Sequence, residues 1–203
     1  MKEKTPSSRP ARERLLAAAG ELFYEEGVQS VGIDKVIERA GVAKASLYGN
    51  FKGKDDLVRA YLQARFDRRR TAIEAKVALH DTPREKLLAI FDVVAEAVAR
   101  ADYRGCPFIR ATAEMPADSE GRQVCNEARA WTRHVMSTLS KDAGAAHPDA
   151  LADQLMLLYD GAAAAKQMDG DTKGGARARA AAALLIDAAL GSTRAKPAGR
   201  ARR

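Results

Sequence analysis

The sequence predicts an all-α protein, and three observations predict it. Hydrophobic residues make up 46% of the 203-residue chain and aromatic ones only 5%, with alanine prominent and few β-branched runs. That composition favours helix over sheet. Apolar residues recur at three- and four-residue spacing along most of the chain, the period of an amphipathic helix. Gly27, Gly41, Pro83, Pro107 and Pro148 stand at the ends of these periodic stretches, where helices stop and start. A chain of this length can bury a core in one or two compact units.

Residues 1–9 form a polar basic arm. Lys2, Lys4, Arg9 and Arg12 either reach a polyanion or belong to a frayed terminus. Pro10 suits a first helical position. The first helix runs from there to about Glu26, with Leu15, Leu16, Ala19, Leu22 and Phe23 as its buried stripe, and Gly27 ends it.

Residues 33–51 read as two short helices joined by a tight turn. Ile33, Val36, Ile37 and Ala40 make one apolar stripe, and Gly41 stops that helix because glycine takes the left-handed conformation without steric penalty. In the second helix Leu47 and Phe51, four apart, share a buried face. Lys44, Ala45, Ser46, Tyr48, Gly49 and Asn50 are left on the outer surface as a short polar row. Such a row suits a helix laid in a DNA major groove, where it meets base edges and phosphates. The alternative is a helical hairpin whose polar face is merely wet.

The stretch AGVAKASLYGNFKGKDDLVRAYL, residues 40–62, resembles the helix-turn-helix signature of the tetracycline-repressor (TetR/AcrR) family of bacterial regulators. The Ala-Gly-Val turn, Ser46-Leu47-Tyr48, Phe51 and Lys54-Asp55 carry the likeness. It implies a homodimeric DNA-binding regulator with an N-terminal helix-turn-helix domain and a C-terminal helical domain that binds a small-molecule effector. It also implies that Lys54, opening the fourth helix, grips a phosphate. Three positions depart from the family pattern. Gly32 stands where a hydroxyl cap is common, Gly49 where a larger residue is common, and Asn50 where histidine is common. Gly49 costs roughly 1 kcal/mol of helix stability relative to alanine and lets the backbone approach the groove floor. Asn50 suits either bidentate pairing with adenine or a phosphate contact.

Asp55 can cap the fourth helix. Leu57, Val58, Tyr61, Leu62 and Phe66 continue it, through Arg68-Arg69-Arg70 as a solvated face, to about Leu79. The resulting organisation is a helix-turn-helix domain over residues 1–54, a connecting helix over 55–80, a helical effector-binding and dimerisation domain over 81–193, and a disordered basic tail over 194–203. Thr82 and Glu85 are spaced as a capping box, with Pro83 at the first helical position of a helix reaching Arg100. Gly105-Cys106-Pro107-Phe108 followed by Ala111-Thr112-Ala113-Glu114 resembles one recurring TetR-type C-terminal domain. Pro107 begins a short helix that Pro116 ends. Further helices follow near 119–141, from His147-Pro148, and over 175–190. The last two carry wide faces of small residues, and the resemblance makes them the dimer interface.

The charge is uneven. Residues 1–70 hold 15 basic and 10 acidic side chains, residues 71–193 hold 14 and 17, and the last ten residues add five cations and no acid. A basic first part followed by a slightly acidic middle fits DNA binding at one end. It also admits a sequence-indifferent basic DNA-binding protein that uses arm and tail. No run of eighteen apolar residues and no secretory stretch occurs, so a cytoplasmic protein with no membrane span is expected.

No catalytic group, cofactor or metal site is expected. His80, His134 and His147 stand in unrelated contexts, and neither a nucleophile motif nor a nucleotide fingerprint occurs. Cys106 and Cys125 make no disulfide framework. Cys106 follows Arg104 and Gly105 at a helix start, a setting that favours the reactive thiolate. It is either a sensor of electrophiles or oxidants or a small buried residue lining a pocket. The resemblance implies an effector pocket, for which Phe91, Val94, Cys106, Phe108, Trp131 and Tyr159 are apolar candidates, with Met115 beside them and Arg110 or Glu114 as polar anchors.

Overall fold

A computed structural model describes residues 9–194, with side chains to residue 191. Its elements are α1 (Ala11–Glu26), α2 (Ile33–Ala40), α3 (Lys44–Tyr48), α4 (Lys54–Val77), α5 (Pro83–Ala99), α6 (Pro107–Glu114), α7 (Glu120–Asp142), α8 (Pro148–Asp169) and α9 (Gly174–Arg194). No strand occurs among the described residues. The protein is all-α. The arm expected over residues 1–9 and the tail expected over 194–203 lie outside the described residues, apart from Arg9 and the backbone of Arg194.

The helix ends follow local chemistry, with three refinements. Pro10 is the N-cap of α1 rather than its first residue: its φ of −52° suits either place, but its ψ of 148° is extended. α4 starts at Lys54, so Asp55 lies inside its first turn, where a carboxylate still favours the helix dipole. The entry to α4 is held instead by Asp56, whose Oδ2 accepts the Lys52 N–H at 3.1 Å. α3 ends at Tyr48, so Gly49 and Asn50 belong to the turn that follows it. The capping box is present: Thr82 Oγ1 accepts from the Glu85 N–H and donates to the Glu85 carboxylate at 2.7 Å. Gly41 adopts the left-handed conformation, φ 61° and ψ 43°, which turns the chain from α2 into α3.

The chain divides into two compact units, one holding residues to Asp67 with Pro107–Asn126 and the other Arg68–Cys106 with Glu127 onward. α6 therefore folds with the helix-turn-helix. In the first unit α1 packs on α2 and α3. Leu15, Leu22, Phe23, Val36, Leu47 and Phe51 are buried there. In the second unit α5, α8 and α9 pack together, around Leu87, Phe91, Val94, Met136, Leu155 and Ile186. No helix among the described residues is long and apolar enough to cross a membrane.

Candidate nucleic-acid interface

α3 is short, and its two faces are sharply different. Leu47 is 0% and Phe51 3% exposed, whereas Tyr48 is 53% exposed. Lys44, Ala45, Gly49 and Asn50 are exposed beside Tyr48, and Ser46 and Lys54 are half-buried. The spacing of Leu47 and Phe51 requires this division, because burying that pair on α1 turns the residues between them outward. Arg12, at the start of α1, stacks its guanidinium 5.3 Å above the Phe51 ring. The N-terminus of α1 thus lies beside the turn that follows α3.

Several polar groups of this surface are already engaged with the protein. Lys44 Nζ lies 3.1 Å from Asp34 Oδ1 in the first turn of α2. That hydrogen bond, with the carboxylate's charge, holds the Lys44 pKa above its ordinary value. Asn50 Nδ2 donates to the Ser46 carbonyl at 2.7 Å, so its amide closes the last turn of α3. Its second N–H and its Oδ1 are left for a base or a phosphate. The Gly49 N–H donates to the Ala45 carbonyl at 2.9 Å. A Cβ at Gly49 would stand 3.3 Å from the same oxygen, so glycine lets the short helix close tightly. Lys54 Nζ donates to the Gln29 carbonyl at 3.1 Å.

Asp34, Gln29 and Glu114 are the polar residues at this end that sequence reasoning did not single out for it. Asp34 faces Lys44 across a turn, at a separation with no sequence signal. Glu114 reaches Gln29 over 85 residues of chain.

The effector candidates divide between the units. Phe91, Val94, Cys106 and Tyr159 are buried and Trp131 half-buried in the second unit, whereas Phe108 is buried and Arg110 half-buried in the first. Phe91 and Tyr159 meet edge to face with ring centroids 6.3 Å apart. Burial pushes the Tyr159 hydroxyl pKa up. Arg69 is not part of a solvated arginine face. Its Nη2 donates to Cys106 Sγ at 3.3 Å, and its guanidinium lies 5.8 Å from the Tyr159 ring. Arg110 Nη1 donates to the Tyr24 carbonyl at 2.6 Å, which ties α6 to α1. Neither cysteine forms a disulfide and both are buried. Among the described residues no cluster of His, Cys, Asp and Glu is arranged to hold a metal.

An all-helical protein that presents a polar row on the second of two short helices, beyond a left-handed glycine, is a helix-turn-helix DNA-binding regulator. Comparison with known proteins narrows the class. Residues 15–61 match the model for bacterial regulatory proteins of the tetR family. A putative TetR transcriptional regulator from Streptomyces avermitilis is 32% identical with a TM-score of 0.78, over 89% of this chain and 98% of that one. A TetR-family regulator from Streptomyces coelicolor is 28% identical with a TM-score of 0.80, over 90% and 95%. The protein belongs to the TetR family of bacterial transcriptional regulators. The HTH-type transcriptional activator FasR of Mycolicibacterium smegmatis is 29% identical over 66% of this chain. The chain spans less than two thirds of the curated relatives it matches first, 60% in the case of FasR and 49% for the Pseudomonas putida regulator TtgW.

Proposed function

We propose that this regulator is a dimeric repressor that binds a palindromic operator through residues 44–54 and is released from it by a small-molecule effector. The observation that carries the reading is the division of α3, with Leu47 and Phe51 anchored inside and Tyr48 held outside among cations and amides. A helix so mounted can enter a major groove without unfolding its base.

Pairing through the last two helices is supported by Leu157 on α8 and Leu184 on α9, which are 71% and 74% exposed. Gly161 lies one turn from Leu157 with open space where a Cβ would stand, so a second helix can approach closely there. Two copies would read half-sites about one helical turn, ~34 Å, apart. The effector would bind in the second unit near Phe91, Val94, Trp131 and Tyr159. To empty a nearly full operator it must prefer the released state by about 5 kcal/mol. A DNA partner would place this work in the cytoplasm.

A footprint on the DNA flanking the protein's own gene tests the reading. The expected result is a protected palindrome that survives excess random duplex at moderate salt. Binding that random duplex removes would make this a sequence-indifferent electrostatic binder. Deleting the gene should raise a reporter driven from that site; a fall would make the protein an activator. Sedimentation should give a dimer, and L157E/L184E a monomer.

The hydrogen bond from Arg69 to Cys106 favours a second reading, in which oxidants or electrophiles are sensed at that thiol. Under that reading an oxidant releases the protein from DNA and Cys106→Ser abolishes the response. An unchanged response in Cys106→Ser would end it.

A further inference from the structure

The corner between α1 and α2 is held from outside the helix-turn-helix. Gln29, exposed in that corner, is gripped twice by the last residue of α6. Its backbone N–H donates to Glu114 Oε2 at 2.9 Å, and its side-chain Nε2 donates to the Glu114 carbonyl, also at 2.9 Å. Both bonds lie within the first unit. Gly27 makes room for them: a Cβ there would stand 2.9 Å from both Glu114 carboxylate oxygens, and its φ of 95° is one that side-chain-bearing residues rarely adopt.

The backbone carbonyl of Gln29 receives Lys54 Nζ at 3.1 Å. Four cations of this unit are matched with carboxylates: Lys35 with Glu26, Arg39 with Glu21, Lys44 with Asp34 and Arg59 with Asp56. Lys54 makes no ion pair among the described residues. Its ammonium is oriented by a neutral carbonyl rather than by a carboxylate, at the start of a 24-residue helix. A phosphate meeting it need displace no carboxylate. That carbonyl lies in the peptide unit after Gln29, while the carboxylate holds the N–H of the unit before it. The N–H bond and the side-chain amide anchored to the α6 terminus together fix the residue in this exposed turn and limit how far its carbonyl can swing.

We propose that Glu114 is a positioning residue for DNA binding: it holds Gln29 at its N–H and side-chain amide, and so steadies the carbonyl that presents Lys54 to a backbone phosphate. The inference rests on the DNA-binding reading above and extends it to a side chain that never touches DNA. It gives the end of α6 a direct mechanical hold on one electrostatic contact, through a single loop residue.

The test is salt-titrated binding of the full-length protein to its footprinted operator duplex, with wild type, K54A, E114A, E114Q and the double variant K54A/E114A. Each phosphate contact contributes about 0.9 to the slope of log affinity against log salt. E114A should weaken binding about fivefold and flatten the slope by about one contact, as K54A does. The double variant should bind no more weakly than K54A. E114Q, whose amide oxygen can still accept the Gln29 N–H, should keep the wild-type slope. A merely structural role for Glu114 would lower the melting temperature and leave the slope alone, so that result overturns the proposal. So does a double variant in which the two losses multiply, or a K54A that binds like wild type. Failure of wild type to bind any footprinted site would instead sink the DNA-binding reading itself.

Discussion

Gly175, in the first turn of α9, lies directly against Ala95 of α5. A methyl group added at Gly175 would come 2.8 Å from the Ala95 Cβ and closer still to its Cα, so the helices touch backbone to side chain with no room between. G175A should therefore force α5 and α9 apart and lose about 1–3 kcal/mol through overpacking. In a chain of this size that is a fall of roughly 2–4 °C in melting temperature per kcal/mol. Calorimetry of the variant would show it, and an unchanged melt would mean that α9 frays there.

Leu47 and Tyr48 are neighbours with opposite tasks. L47A removes a fully buried side chain from the first unit and should cost about 3 kcal/mol of stability. Y48A removes a half-open one and should change stability by no more than about 0.5 kcal/mol, while weakening operator binding at least tenfold. Denaturant unfolding and fluorescence anisotropy on the same two preparations separate these effects. Strong operator binding by Y48A would show that α3 does not face the groove.

Asp34 holds the Lys44 ammonium at 3.1 Å and adds a negative charge beside the expected phosphate path. D34A should bind both operator and random duplex several-fold more tightly at low salt, with a salt slope steeper by up to about one contact. The gain should fade at high salt as the charges are screened. Weaker binding would mean that Asp34 aligns Lys44 for its contact rather than occupying it.

The second unit carries two bidentate pairs between helices. Arg84 grips Asp187 at 2.6 and 2.8 Å, and Arg133 grips Asp153 at 2.5 and 3.0 Å. Hydrogen bonds from those guanidinium groups hold both aspartate pKa values below the ordinary carboxylate range. A carboxyl whose pKa is lower folded than unfolded stabilises the fold fully above the unfolded value. That contribution is lost as pH falls through the folded one. The denaturation midpoint should thus hold from neutral pH to about 5 on account of these groups and drop below about pH 4. D187N and D153N should each flatten that acid limb. Both pairs are exposed, so the effect should be small and should shrink in high salt.

Much of this was legible in the chain. The two short helices over residues 33–51 could be read because a tight glycine turn and an apolar pair at i and i+4 are local events, and Gly41, Leu47 and Phe51 adopt the conformations those events need. The capping box at Thr82 and Glu85 could be read for the same reason, since its partners lie three residues apart. The limits of α3 could not be read so closely. Gly49 and Asn50 fall outside the helix because Asn50 returns its amide to the Ser46 carbonyl, a choice between side-chain conformers that periodicity does not contain. Arg69 escaped as well. Its place among three consecutive arginines suggests a solvated face, yet it turns to Cys106 and Tyr159, residues far along the chain.

Sequence by itself determined that the chain is helical, where most helices begin and end, and which face of each is apolar, because these depend on neighbours within about one helical turn. Only the tertiary structure decided that α6 folds beside the helix-turn-helix, that Glu114 grips Gln29, and that Asp34 and Gln29 hold Lys44 and Lys54. Those pairings join residues 10 to 85 positions apart. They arise from how buried faces dock, and once the faces have docked, each polar group must find whichever partner the docking has brought within reach.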